Sequence, residues 1–235
     1  MEKKNTYNER LFSGGLRARL HLARFHWLNQ RLKQYLPDSN VNVMELGCFD
    51  ARSMHHFPSP PTRYLGINAN WEGGLDLARQ RFSRHPDYSF LAANHPQQVE
   101  IAEASFNVIL SLETLEHVPP PDVSGWLRLF KNGLKRDGLL LVTIPNEKGP
   151  LFAIKHLAKL AVYGKSERYT LREFMCATLG RSDQIKRHEH KGFDWELLQR
   201  EISEYFNVIE CQGVQFPSLP SWMSPQIGLV ARPRY

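Results

Sequence analysis

The sequence predicts an α/β fold, with a mainly parallel sheet covered on both faces by helices. From residue 41 onward strand-like and helix-like runs alternate, which is the pattern of βαβ units. The run Phe106–Leu112 is apolar nearly throughout, as strands buried on both faces of a parallel sheet are. The run Val41–Leu46 carries an acid, Glu45, next to its end and is followed at once by Gly47. The chain therefore turns at the carboxyl end of a strand, where open α/β sheets bind ligands. Glycine at that turn lets backbone approach a ligand closely.

Composition narrows the class further. A chain of 235 residues that is 42% hydrophobic suits one domain with a full core and a modest insertion. Thirty Lys and Arg against 24 Asp and Glu leave a formal charge of +6. That balance suits an anionic partner (a phosphate-bearing substrate, nucleic acid or a membrane surface) or simply a soluble protein with a mild basic excess. Cys48, Cys176 and Cys211 are odd in number and widely spaced, which excludes a disulfide framework and a CxxC metal site and points to a reducing cytoplasm. The start, Met1 to Asn5, is polar and lacks the apolar core of a signal peptide. No apolar run approaches the ~20 residues of a membrane-spanning helix.

Taken in order, residues 1–14 are a polar lead-in. Gly15 to Leu36 is helical: Leu16, Leu20 and Trp27, and Phe25, Leu28, Leu32 and Leu36, recur at helical spacing, and Pro37 lies just beyond. Arg17, Arg24, Arg31 and Lys33 read as solvated cations on that helix, with a lid over a cofactor cleft as the alternative. Residues 41–46 form a first strand, 50–57 a short helix, and Pro58, Pro60 and Pro61 a break. Arg63 to Ile67 is a second strand, Gly73 to Phe82 a helix and Tyr88 to Ala92 a third strand, with 96–104 helical. Phe106 to Leu112 is the fourth strand, Val123 to Leu134 a helix, and Leu139 to Ile144 a fifth strand led in by Asp137-Gly138. Residues 150–190 hold two helical segments, 151–163 and 170–179, and no strand, as an insertion would. Phe193 to Tyr205 is a helix. Phe206–Val214 and Gln226–Ala231 are two final strands, joined through Pro217, Pro220 and Pro225 as an antiparallel edge hairpin.

Chemistry concentrates after the fourth strand, in Ser111-Leu112-Glu113-Thr114-Leu115-Glu116-His117-Val118-Pro119. On a helical turn, Glu113, Glu116 and His117 would share one face, being i, i+3 and i+4. Two carboxylates and an imidazole suit a divalent cation or general-base work on a hydroxyl. A loop cap, with the carboxylates on backbone amides, is the plain alternative. His117 is the natural proton acceptor, since an unperturbed imidazole titrates near ~6.5. A second histidine-bearing stretch, Arg187-His188-Glu189-His190-Lys191-Gly192-Phe193-Asp194-Trp195, precedes the aromatic-led helix.

In this order the pieces resemble the class I S-adenosylmethionine-dependent methyltransferases, over about residues 41–232. Glu45, Gly47 and Cys48 match the acid and glycine loop of that family, and Phe49 and Ala51 stand where later glycines would be. The resemblance implies a Rossmann-like seven-stranded sheet and S-adenosyl-L-methionine as cofactor. It places Glu45, Gly47, Cys48, Phe49 and Leu112 beside the cofactor, Asn68 where the family has a ribose-binding acid, and Asn94 where an acid meets the adenine. Phe106-Asn107 replaces the usual Phe-Asp. Leu134 to Asn146 is similar to the family's fifth strand and the turn that leads into it, and Ile144-Pro145-Asn146 sets a rigid turn near the substrate. The Glu113-Thr114-Leu115-Glu116-His117 run faces the transferred methyl in many small-molecule members. Small-RNA terminal 2′-O-methyltransferases pair such a run with a later His, here His190, to hold a metal. Glu113, Glu116, His117 and His190 are accordingly the catalytic candidates and the candidate ligands of a divalent metal.

The expected organisation is an N-terminal helical segment over 1–38 and a methyltransferase domain over 39–235, with the insertion at about 150–190. The expected activity is O-methylation of a sugar or other small acceptor, with a likeness to bacterial glycan-cluster enzymes. A metal-dependent RNA 2′-O-methyltransferase and a non-catalytic methyltransferase-like binding protein remain as alternatives. Lys155, Lys159, Lys165, Arg168, Arg172 and Arg181 accompany the apolar stripe Leu151, Ile154, Leu157, Ala158 and Ala161. That pairing reads as a substrate lid, as phosphate contacts, or as a peripheral membrane contact. No accessory RNA module and no glycine-rich basic tail accompany it, so nucleic acid is not an expected partner.

Overall fold

A computed structural model describes residues 15–36, 40–164, 169–188 and 190–235. The lead-in 1–14, Pro37, Lys165, Arg168 and Glu189 lie outside the described residues. The apolar runs of the sequence become the central strands β1 (Asn42–Leu46), β4 (Phe106–Leu112) and β5 (Leu134–Pro145). β2 (Arg63–Asn68) and β3 (Tyr88–Ala92) extend the sheet on one side, and β6 (Phe206–Gly213) and β7 (Gln226–Pro233) on the other. The seven strands lie in the order β3-β2-β1-β4-β5-β7-β6. All pairs are parallel except β5 with β7 and β7 with β6, which are antiparallel. The last two strands form the expected antiparallel hairpin, and β7 inserts between β5 and β6.

Side chains alternate across the pleat, so β5 feeds two cores at once. Leu140, Val142 and Ile144 pack against Trp126, Leu127 and Phe130 of helix α3 (Pro120–Gly133) and against Trp195, Leu198 and Ile202 of α6 (Trp195–Tyr205). Leu139 and Leu141 join the opposite core, with Phe25, Trp27, Leu28 and Leu32 of α1 (Gly15–Tyr35) and Leu75 and Ala78 of α2 (Gly74–Arg81). The result is helix, sheet and helix in three layers. Two further helices, α4 (Pro150–Tyr163) and α5 (Leu171–Thr178), share a separate small cluster around Phe152, Cys176, Ala177 and Ile185.

Local chemistry explains where helices begin. Asp194 caps α6 by accepting from the Glu196 and Leu197 amides. Thr170 and Glu173 close a capping box at α5. Pro150 opens α4, where its missing N–H costs nothing.

Three expectations are corrected. Residues 50–57 hold only a five-residue 3₁₀ turn, Arg52–His56, because Ala51 before it is left-handed at φ 54° and breaks the α spiral. Residues 96–104 hold a 3₁₀ turn at Pro96–Gln98 and no longer helix, since Val99 returns to extended backbone. β5 starts at Leu134, before Asp137-Gly138, because Leu134 already pairs with Phe106 across an irregular register.

Helix α1 is seated on the sheet as well as on the cleft described below. Gly228 of β7 leaves room for it: a Cβ there would lie 2.5 Å from the Trp27 ring. Asn29 donates to the His56 carbonyl at 2.8 Å, and Phe25 stacks on His56 with ring centres 4.5 Å apart. Trp27→Ala is expected to cost about 3–5 kcal/mol of stability, since it empties a buried aromatic site. Urea unfolding measures this, and a loss under about 1 kcal/mol would show that α1 is not part of the core.

Candidate active site

The strand order reverses direction between β1 and β4, and a cleft opens at their carboxyl ends. Its volume is about 710 Å³, the size of a pocket for a nucleoside-sized ligand. All of Glu45, Gly47, Cys48, Phe49, Asn68, Asn94, Leu112, Glu113, Glu116, His117 and His190 line it.

One wall is the loop after β1. Gly47 has φ 82°, and a Cβ there would fall 2.0 Å from Thr114 Oγ1, so only glycine fits. Phe49 at φ 46° and Ala51 at φ 54° keep left-handed backbone without being glycine. Such residues are uncommon and cost about 1–3 kcal/mol each, strain that collects at functional sites. Phe49 wedges beneath Gly74, whose Cβ would come within 2.5 Å of the ring, and sits 5.3 Å from Trp71, a second aromatic of the cleft. Glu45 is the floor of the loop. Its carboxylate accepts from Ser53 Oγ and, at 2.5 Å, from Tyr64 OH. Burial pushes its carboxyl upward, and those two hydrogen bonds hold it back.

At the end of β2, Asn68 Oδ1 accepts from the Asn70 amide at 2.9 Å. The side-chain NH2 of Asn68 adds a donor where an acid could only accept. The Asn94 amide donates to Gln98 Oε1 at 2.7 Å, which fixes the rim after β3.

The opposite wall follows β4. Glu113 does not share a helical turn with Glu116 and His117. It is left-handed at φ 55°, and the 3₁₀ turn begins only at Leu115. Its carboxylate nonetheless acts on Glu116 electrostatically. The chain brings His190 to His117, with ring centres 4.6 Å apart and edge to face. The donor atoms of Glu116, His117 and His190 lie within 4.8 Å of one another, and Glu113 is not one of that set. Both Glu116 carboxylate oxygens, one Glu113 oxygen and His190 Nδ1 are buried without a hydrogen-bond partner among the described residues. Buried polar atoms ordinarily have partners. The Glu116 carboxylate and the two imidazoles, with donor atoms this close together, fit a divalent cation.

Helix α1 contributes residues to the cleft that were not among the site candidates. His21, Arg24 and Phe25 line the cleft. Arg24 is no surface cation, since its charge acts on Glu45, Glu113 and Glu116. α1 thus serves both readings made from its periodicity, a packed helix and a cover for the cleft. Thr114, inside the acid–imidazole run, and Trp71 had no role assigned from sequence, because only the three-dimensional approach of the loops gives them one.

With this geometry in view, comparison with known proteins is decisive for the fold. Residues 44–142 match the family described as a methyltransferase domain. None of the curated proteins compared matches the sequence. Among solved structures, the N-methyltransferase NodS from Bradyrhizobium japonicum is 16% identical, with 92% of this chain and 98% of that chain covered and a TM-score of 0.59. An S-adenosylmethionine-dependent methyltransferase from Clostridium acetobutylicum is 11% identical, with 98% and 100% covered and a TM-score of 0.68. The 1,6-didemethyltoxoflavin-N1-methyltransferase of Burkholderia thailandensis, solved with its substrate and S-adenosylhomocysteine, is 15% identical, with 92% and 79% covered and a TM-score of 0.60. The fold is that of the S-adenosylmethionine-dependent methyltransferases.

Electrostatics in the domain have a measurable consequence. Burial pushes the Glu116 carboxyl well above the usual range, and the like charge of Glu113 pushes the same way. Glu113 is also raised by burial, against the pull of Arg24 and a hydrogen bond from Gln226. A carboxyl raised on folding binds more protons folded than unfolded, so stability falls as pH rises from about 4.3 through the raised value. Glu116→Gln is expected to flatten that decline and, at pH ~8 in chelator, to stabilise the protein by about 1–2 kcal/mol. Thermal unfolding at low and high pH checks it; an unchanged slope would mean that the carboxylate is satisfied in solution. Gly47→Ala is expected to destabilise by about 1–3 kcal/mol through its clash with Thr114, read by urea unfolding.

Proposed function

We propose that this domain, taken as residues 39–235 with an insertion at about 150–190, transfers a methyl group from S-adenosylmethionine to a hydroxyl of a sugar or other small acceptor. The observation that carries the reading is the pairing, across one cleft, of a loop built for close backbone approach with a cluster of carboxylates and imidazoles. S-adenosylmethionine would supply an electrophilic methyl on its sulfonium. Gly47, Cys48 and Phe49 would line its methionine part, Asn68 would donate to its ribose, and Asn94 and Leu112 would border its base. Leu112, Phe49 and Trp71 would exclude water. His117, half exposed at the rim of the cleft, would take the acceptor's proton. Methyl transfer is an in-line displacement, so alignment of the hydroxyl is most of what the residues must achieve.

A divalent cation on Glu116, His117 and His190 would lower the pKa of that hydroxyl, and the unpartnered atoms of Glu116 and His190 favour this variant of the reading. The named neighbours that methylate nitrogen make the accepting atom the point to test.

Calorimetry with S-adenosylmethionine, with and without manganese, is expected to show binding in both conditions. Binding under neither would refute the enzyme reading and leave a partner-binding protein. On a hydroxyl-bearing sugar acceptor, His117→Ala is expected to lower turnover by roughly 10²-fold or more while leaving cofactor affinity within about twofold. Unchanged turnover would remove His117 as the base. Preferential methylation of amine acceptors would overturn the oxygen assignment. Activity that survives both chelation and His190→Ala would remove the metal.

A further inference from the structure

Helix α4 has its polarity reversed. Phe152 and His156 face inward, with Phe152 against Tyr169 at 4.9 Å and His156 against Phe174 at 5.4 Å. At 100° per residue the opposite face holds Ile154, Leu157, Ala158 and Ala161. All four are exposed, as is Leu160 at the margin, and no charged residue stands among the four. Lys155 and Lys159 flank this face toward the Phe152 side; Lys155 is tied to Glu147 at 2.9 Å, while Lys159 is exposed. A helix packed on a domain ordinarily turns its polar residues to water. α5 continues the pattern: Leu171, Met175 and Leu179 recur every four residues and are exposed, with Arg172 beside them. Ile154 is 65% exposed, Leu157 55% and Leu171 81%. Single exposed leucines are ordinary. Two helices packed together, each with an exposed apolar stripe, mark an interaction surface.

Charge decides what covers it. Between residues 150 and 181 the sequence has six Lys and Arg against two Glu, a net +4 out of the chain's +6. Two copies pressed together on this face would bring like charges into contact, which disfavours self-association. A bilayer of anionic lipids satisfies both features at once. Apolar side chains enter the boundary of the acyl region while Lys and Arg meet the headgroups. Among the described residues no helix is long and apolar enough to cross a membrane, so the hairpin would lie on the surface. We propose that α4 and α5 together dock this protein on an anionic lipid surface. The root of α4 is close to the cleft: Lys155 donates to the Asn146 carbonyl just past β5, and its charge reaches Glu113. Docking would therefore hold the acidic side of the cleft near the membrane. The inference does not depend on methyl transfer, and binding alone tests it.

The experiment is flotation of the full chain with vesicles of phosphatidylcholine, with and without phosphatidylglycerol. Recovery with the anionic vesicles is expected to exceed recovery with phosphatidylcholine alone by roughly tenfold, and to fall as salt rises from about 0.1 to 0.5 M. The triple variant Ile154→Glu, Leu157→Glu, Leu171→Glu is expected to lose binding by roughly tenfold or more with an unchanged melting temperature. A second variant, Lys159→Gln with Arg172→Gln, keeps the apolar stripes and is expected to lose only the preference for anionic lipid. Failure of the parent chain to float with either vesicle overturns the proposal, as does undiminished flotation of the triple variant. A dimer in light scattering that the triple variant abolishes, without flotation of the parent, would assign the face to self-association instead.

Discussion

The close approach of the loop after β1 to the turn after β4 is the constraint on which the site depends. Gly47 lies against Thr114 with no room for a Cβ. That contact fixes how the glycine wall and the acid–imidazole wall face each other, and it stands where the sheet changes direction. Each wall is held from behind by the sheet: the Gly47 amide donates to Ile67 and the Glu113 amide to Thr143, both at 2.8 Å. The cleft is thus a property of strand order and of one missing side chain. Its dimensions are set by packed backbone, which deforms little.

The same backbone carries uncommon strain. Phe49, Ala51, Asn70, Glu72 and Glu113 are all left-handed without being glycine, and Phe49, Ala51 and Glu113 flank the two walls. Around them sit Glu45, Glu113 and Glu116, three carboxyls raised by burial. Folding alone gains nothing from either feature. A buried carboxylate without a partner costs free energy that the core must offset. The large apolar clusters on both faces of β5 are what make this tolerable.

The strands were legible because buried parallel strands read as apolar runs, and β1, β4 and β5 are such runs. Turns were less so. A 3₁₀ turn at Arg52–His56 and an α-helix share composition, and left-handed backbone at Phe49 or Glu113 has no signature when the residue is not glycine. The acid–imidazole run stood out from its residue types alone, although its geometry is not the single helical face that spacing suggests. Arg24 was hidden for another reason. Its partners lie far along the chain, and nothing in a helical stripe distinguishes a cation over a cleft from one in water.

The seat of α1 has a further consequence, one of timing. Trp27 rests on Gly228, and Gln215 reaches back to the Leu20 carbonyl at 3.1 Å. During synthesis α1 emerges long before β7, the strand that receives Trp27. Until β7 has left the ribosome the helix lacks that part of its seat, although its contacts with His56 can already form. Contacts of such long sequence separation slow folding. The nascent chain would therefore expose the Trp27 side of α1 until β7 emerges, which is when a chaperone would meet it.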